Sequence, residues 1–198
     1  MNGCITVVSG LPRSGTSMMM RSLQAGGMEL LTDGRRRADE CNPFGYFELE
    51  AVLHTAKDAS WTQQAVGRAV KVIYPALYDL PASFSYRVVF MMRDLGEVLA
   101  SQDRLLRHLG KKDAVPSGRG MRRIFAGGLM SCARYLAERD NFEVIYVSYG
   151  AMLADTLSEA GRVSRFLGGL DTEAMAGAVE PRLTYSPSML SFPHIGKA

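Results

Sequence analysis

The stretch Ser9-Gly10-Leu11-Pro12-Arg13-Ser14-Gly15-Thr16-Ser17 gathers two glycines, several hydroxyls and a guanidinium into one short loop. It follows an apolar, β-branched run, Cys4 to Val8, and precedes a helix-like stretch from about Gly15 to Gln24, closed by Gly26-Gly27. A loop between a buried strand and a helix N-terminus turns several backbone N–H groups toward one point, where the helix dipole adds partial positive charge. Gly10 and Gly15 permit positive φ and let the backbone approach a phosphate closely. Ser14, Thr16 and Ser17 add hydroxyl donors, and Arg13 adds a charged fork. The chemistry this predicts is the binding of a phosphate-like anion. Gly10 and Gly15 stand at the spacing of a nucleoside-triphosphatase loop, but Thr16 occupies the place of its lysine. The cation has moved into the loop, at Arg13. A plain strand-to-helix turn would use the same glycines; the coincidence of hydroxyls and cation favours the anion site.

A second cation-hydroxyl pair lies downstream. Arg93 ends the run Val88-Val89-Phe90-Met91-Met92, and Ser101 follows eight positions later. Asp94 and Glu97 form a capping box that starts a helix near Leu95. Ser101 then lies two turns beyond Asp94 on the same face, able to share a ligand with Arg93. An arginine fork suits a terminal phosphate dianion better than a lysine.

The elements that must carry these residues alternate. Strand-like runs at Cys4–Val8, Ala69–Tyr74, Arg87–Met92 and Phe142–Val147 are separated by helical patterns over about Gly15–Gln24, Leu95–Leu109 and Met121–Glu138, with a last one around Leu153–Leu167. This predicts an α/β fold: a P-loop NTPase-like three-layer domain around a central parallel sheet of about four to five strands, spanning residues 1–198 as one domain. The region Met28–Trp61, the Pro/Gly/Ser-rich loop Lys111–Gly120 and a tail with Pro181, Pro187 and Pro193 are irregular.

Bulk properties narrow the classes. A chain of 198 residues with 47% apolar and 22% charged residues is an ordinary globular composition. A net charge of +3 suits an anionic ligand but not a nucleic-acid surface. Cys4, Cys41 and Cys132 are odd in number and far apart, which predicts neither a disulfide framework nor a zinc site and fits a cytoplasmic protein. No apolar run approaches the ~20 residues of a membrane span, and the N-terminus lacks the basic region of a signal peptide.

Pro12-Arg13-Ser14-Gly15-Thr16-Ser17 resembles, at every position, the 5′-phosphosulfate loop of the sulfotransferase superfamily, Pro-Lys/Arg-Ser/Thr-Gly-Thr-Thr/Ser. That superfamily includes cytosolic, tyrosylprotein and heparan sulfate enzymes. Arg93 and Ser101 match its 3′-phosphate pair. Lys71-Val72-Ile73 with Leu80-Pro81-Ala82-Ser83-Phe84, the Ser148-Tyr149 region and Phe166-Leu167-Gly168 extend the likeness over most of the chain. The resemblance implies 3′-phosphoadenosine-5′-phosphosulfate (PAPS) as co-substrate, held by Pro12 to Ser17, by Arg93 and Ser101, and near the adenine by Tyr149. It implies no metal. The two anion cradles should stand one adenosine bisphosphate apart.

The likeness breaks at the general base. The cytosolic enzymes place a histidine two residues after the lysine, and here that position is Ile73, which accepts no proton. Lys71 is retained, either to steady the sulfuryl oxygens or as a strand-end lysine with its ammonium in water. His54, His108 and His194 are read as surface residues. Other relatives use a glutamate after the first helix, and Asn42-Pro43-Phe44-Gly45-Tyr46-Phe47-Glu48 resembles a stretch of small bacterial members. Glu48 is the first candidate base and Glu40 the second, with pairing to an arginine as the alternative for Glu48. The Arg35–Arg37 run reads as a solvated face.

The expected activity is in-line sulfuryl transfer from PAPS to a hydroxyl or amine of a small-molecule or carbohydrate acceptor, with Arg13, Lys71 and a carboxylate as catalytic groups. Two other readings stay open: a nucleotide or small-molecule kinase with a degenerate loop, and a non-catalytic nucleotide-binding protein that has lost its base.

Overall fold

The computed structural model describes residues 3–39, 42–108 and 119–180. Four strands, β1 (Cys4–Gly10), β2 (Ala69–Lys71), β3 (Ser85–Met92) and β4 (Phe142–Ser148), form one parallel sheet in the order β2-β1-β3-β4. The register pairs Val8 with Lys71, Gly10 with Met91, and Met92 with Ser148. Helices follow the strands: α1 (Thr16–Ala25), α2 (Trp61–Gln64), α3 (Leu95–His108), α4 (Arg119–Ala137), α5 (Tyr149–Ala154), α6 (Thr156–Leu167) and α7 (Thr172–Gly177). This is the α/β, P-loop-like architecture that the alternation of patterns predicts. Among the described residues, no helix is long and apolar enough to cross a membrane.

Two apolar layers explain why the strands lack polar faces. Successive strand side chains point to opposite sides. Ile5, Val7, Val70, Val88 and Phe90 pack with Cys132 and Leu136 of α4 on one side. Val8, Val89, Met91 and Val147 pack with Met19, Met20 and Leu23 of α1 and with Ala160 and Val163 of α6 on the other. A parallel sheet covered on both faces requires such continuous apolar runs.

Two boundaries differ from expectation. β2 ends at Lys71, and Tyr74–Asp79 is a 3-10 turn instead of strand continuation. Pro75 lies at the start of that turn, where its fixed φ suits a helical first residue and its missing N–H removes a ladder donor. The helical pattern around Leu153–Leu167 is two helices, α5 and α6, broken at Asp155. Asp155 leaves helical geometry and accepts the Ser158 N–H at 3.3 Å, so it caps α6 and ends α5.

The strand order fixes where a ligand can enter. The chain leaves β1 toward β2 on one side, and leaves β3 toward β4 on the other. The crevice beyond the carboxyl ends of β1 and β3 is therefore a topological switch point, the place where open α/β sheets bind ligands. The loop 11–15 and the β3–α3 junction both open there.

Candidate functional site

The loop after β1 has the backbone that close anion approach requires. Gly10 and Gly15 take φ of +141° and +101°. A Cβ on Gly10 would meet Ser14 Oγ at 2.5 Å and the Met91 carbonyl at 2.6 Å; one on Gly15 would meet the Tyr149 ring at 2.5 Å. Arg13 itself sits at φ 72°, an unusual conformation for a residue with a side chain, held where the loop turns. Helix α1 begins on Gly15 with no side-chain cap, which leaves its first-turn N–H groups for something else. Ser14 is buried, and its Oγ lacks a hydrogen-bond partner among the described residues.

The second cation-hydroxyl pair adjoins this loop directly. Arg93 Nη1 donates to the Arg13 carbonyl at 3.1 Å, and Arg13 Nε donates to Ser101 Oγ at 3.0 Å. The two cation-hydroxyl pairs thus meet at Arg13. Arg93 Nε is taken by Glu97 at 3.0 Å, and its guanidinium lies 4.1 Å over the Tyr149 ring. Three contacts lock the fork, and Nη2 has no partner among the described residues. The cap at the start of α3 is half of the expected box: Asp94 accepts the Glu97 N–H at 3.1 Å, while the Glu97 carboxylate turns to Arg93. Tyr149, buried at the start of α5, carries a hydroxyl with no partner among the described residues. Burial pushes its phenol pKa up, and the neighbouring Arg93 charge pulls the other way.

Behind the loop lies a third cluster. Lys71 is 9% exposed, so its ammonium is not in water. It donates to the Tyr46 carbonyl at 2.9 Å, Ser17 Oγ at 3.3 Å and Glu48 Oε1 at 3.5 Å. Burial lowers its pKa, with the Glu48 carboxylate opposing. Glu48 also faces Arg36, whose Nη1 stands 3.4 Å from both carboxylate oxygens. Glu48 is thus paired with Arg36 as well as with Lys71. Arg36 lies 3.4 Å over the Tyr46 ring, and the Tyr46 hydroxyl donates to Asp39. The 35–37 run is exposed, but its middle member is part of this cluster and not only a solvated face. Pro12 is exposed at the loop's tip, and Thr16 is buried in the first turn of α1. Glu40 and Cys41, the bulk of the Lys111–Gly120 loop and the tail from residue 181 lie outside the described residues. His54 is exposed, and Trp61 is a core residue bonded through Nε1 to Thr55.

Asn42 and Glu97 are the site residues whose roles the sequence did not announce. Asn42 Nδ2 donates to Ser17 Oγ at 3.1 Å and to the Gly45 carbonyl at 2.6 Å. No periodicity exists in the irregular 28–61 region to signal such a contact. Glu97 was visible as a cap, and its second duty could be read from the i, i+4 spacing to Arg93.

No family model and no curated protein matches the chain. Among solved structures, it is similar to a sulfotransferase domain from the Synechococcus PCC 7002 olefin synthase, at 16% identity and a TM-score of 0.55. The match covers 96% of this chain and 90% of that one. A likeness of that extent at so low an identity is a likeness of architecture: the chain has a sulfotransferase-like α/β fold, with its phosphate-type loop at the switch point of the sheet.

Proposed function

We propose that the protein is a PAPS-dependent sulfotransferase, moving a sulfuryl group to a hydroxyl or amine of a small-molecule or carbohydrate acceptor. The observation that carries this reading is the contact chain Arg93–Arg13–Ser101, which joins the β1 loop to the β3–α3 junction through bonds of 3.1 and 3.0 Å. A mononucleotide triphosphate needs one anion cradle. Two adjoining cradles of arginine and hydroxyl suit a nucleotide with anionic groups on both 5′ and 3′ positions.

The residues present fit that donor. The uncapped first turn of α1 and the Ser14 hydroxyl would hold the 5′-phosphosulfate, with Arg13 stabilising the oxygen that leaves. Arg93 Nη2 and Ser101 Oγ would take the 3′-phosphate, the latter on release from Arg13. Tyr149, whose buried hydroxyl has no partner among the described residues, would border the adenine. The acceptor oxygen would attack sulfur in line as the phosphate oxygen departs, so the rate would rest on alignment and charge stabilisation. Glu48 is the first candidate to take the acceptor proton, and Glu40 the second. Thr16 at the phosphate-loop lysine position speaks against a kinase.

Calorimetry with 3′-phosphoadenosine 5′-phosphate (PAP) against ATP–Mg tests the reading. PAP should bind and be weakened about 10- to 100-fold by Arg93→Ala, the loss of charge-assisted hydrogen bonds to a dianion. A preference for ATP–Mg, or indifference of PAP affinity to Arg93→Ala, would refute it.

A further inference from the structure

Two i, i+4 ion pairs involve helix α3, and only one of them is solvated. Arg107 and Asp103 are 66% and 47% exposed, and a surface pair of that kind is worth little. Arg93 and Glu97 are 14% and 24% exposed, and the Arg93 Nε–H donates to Glu97 Oε2 at 3.0 Å. Glu97 and Ser101 stand one turn apart on the same face of α3, so the carboxylate belongs to the cradle and not to the solvent side. Its charge is felt there. Burial is the first cause that raises the Tyr149 phenol pKa; behind it, Arg93 pulls that pKa down and Glu97 pushes it up. A carboxylate in this place opposes any anion that Arg93 is meant to hold.

The same carboxylate also fixes where the arginine points. A guanidinium is a rigid planar fork of five N–H donors. Arg93 gives Nη1 to the Arg13 carbonyl at 3.1 Å and lies 4.1 Å over the Tyr149 ring. The Nε bond to Glu97 sets the remaining rotation, and Nη2 is left for a ligand. Aiming needs only a hydrogen-bond acceptor at position 97; the negative charge is a separate contribution. In the sulfotransferase reading, donor and product carry the same 3′-phosphate. Contacts to it bind both alike and lower no barrier, so a stronger hold there would only slow the product's departure.

We propose that Glu97 is a positioning residue that both aims Arg93 and restrains it: its bond to Nε directs the guanidinium at the 3′-phosphate, and its charge keeps the nucleotide held there exchangeable. The inference rests on the sulfotransferase reading only for the identity of the anion. The two roles part in two variants. Glu97→Gln keeps an oxygen for the Arg93 Nε–H and loses the charge. Glu97→Ala loses both. An ordinary helix-surface pair would leave anion binding indifferent to either change.

Calorimetry with PAP on wild type, Glu97→Gln and Glu97→Ala tests both roles. PAP should bind Glu97→Gln about five- to tenfold more tightly than wild type, the effect of removing a like charge from a partly buried anion site. Equal or weaker binding overturns the restraint. Glu97→Ala should bind PAP about two- to tenfold more weakly than Glu97→Gln, the cost of ordering a freed arginine on binding. Equal affinities of the two variants overturn the aiming. Hydrogen exchange at the Arg93 Nε–H, the resonance missing from Arg93→Lys, reads the contact without nucleotide. It should stay within about threefold of wild type in Glu97→Gln and accelerate about tenfold in Glu97→Ala; equal exchange in all three proteins overturns the Nε bond. Failure of wild type to bind PAP would count against the sulfotransferase reading alone. Titration of inorganic phosphate, followed at the same resonance, would then decide Glu97: tighter phosphate binding in Glu97→Gln upholds the restraint, and equal or weaker binding overturns it.

Discussion

Gly15 and Tyr149 define the site's tightest tolerance. With φ at +101° and the Tyr149 ring 2.5 Å from where a Cβ would stand, Gly15 has both a conformational and a steric reason to be glycine. Gly15→Ala should therefore lower stability by about 2–3 kcal/mol, read by urea denaturation, since strained left-handed backbone alone costs ~1–3 kcal/mol. An effect below ~0.5 kcal/mol would mean that ring and loop part easily. Tyr149→Phe separates folding from binding in the opposite sense. Its hydroxyl is buried without a partner among the described residues, so removal should leave the unliganded protein equally stable or slightly more so. If the hydroxyl meets the nucleotide, PAP affinity should nevertheless fall about five- to tenfold, as for one lost hydrogen bond of ~1 kcal/mol. A destabilised Tyr149→Phe would show that the phenol serves the fold instead.

The strands and the first, third and fourth helices were legible in the chain because buried runs and 3.6-residue patterns are local signals. The loop, Arg93 and Ser101 were legible for the same reason, each being fixed by its position at the end of a strand or on a helix. Segment 42–48 was not, because its shape comes from contacts with Ser17 and Lys71, 25 and 23 residues away along the chain. Lys71 likewise could not be placed between water and interior from sequence, since its burial depends on that segment folding over it. The helix α3 shows how a local cap serves the site. Asp94 Oδ1 accepts the Glu97 N–H, which starts the helix, and the same turn aims the Glu97 carboxylate at Arg93. Asp94→Ala should cost about 1 kcal/mol by denaturant unfolding, the usual value of a lost cap. It should also weaken PAP several-fold, because Glu97 and Ser101 both depend on where the helix begins. Loss of stability with unchanged PAP binding would uncouple the cap from the anion cradle.

At the scale of the molecule, the sheet divides two apolar layers, and only its carboxyl edge gathers the charged cluster described above. The layer beneath α4 holds groups whose protons are retained by burial, which makes alkaline stability a report on how dry that layer is. Cys132 is fully buried against the sheet, and burial pushes its thiol pKa up to about 11. Tyr86, bonded to the Pro81 carbonyl at 2.8 Å, is shifted in the same direction, by burial first and by Tyr135 second. An unfolded chain loses the thiol proton near pH ~8.5. Between that pH and about 11 the native thiol keeps a proton that the unfolded one has lost, so its contribution to stability falls as pH rises. The thiol's contribution is complete below pH ~8.5 and should be lost, to the extent of about 3 kcal/mol, as the pH rises to and through its folded value. Cys132→Ala, itself less stable at neutral pH by roughly 1 kcal/mol for the atoms removed from the core, should show a shallower decline between pH 9 and 11 when unfolding midpoints are measured across that range. Equal slopes in the two proteins would mean that water reaches the thiol and that the α4 layer opens well below the global unfolding transition.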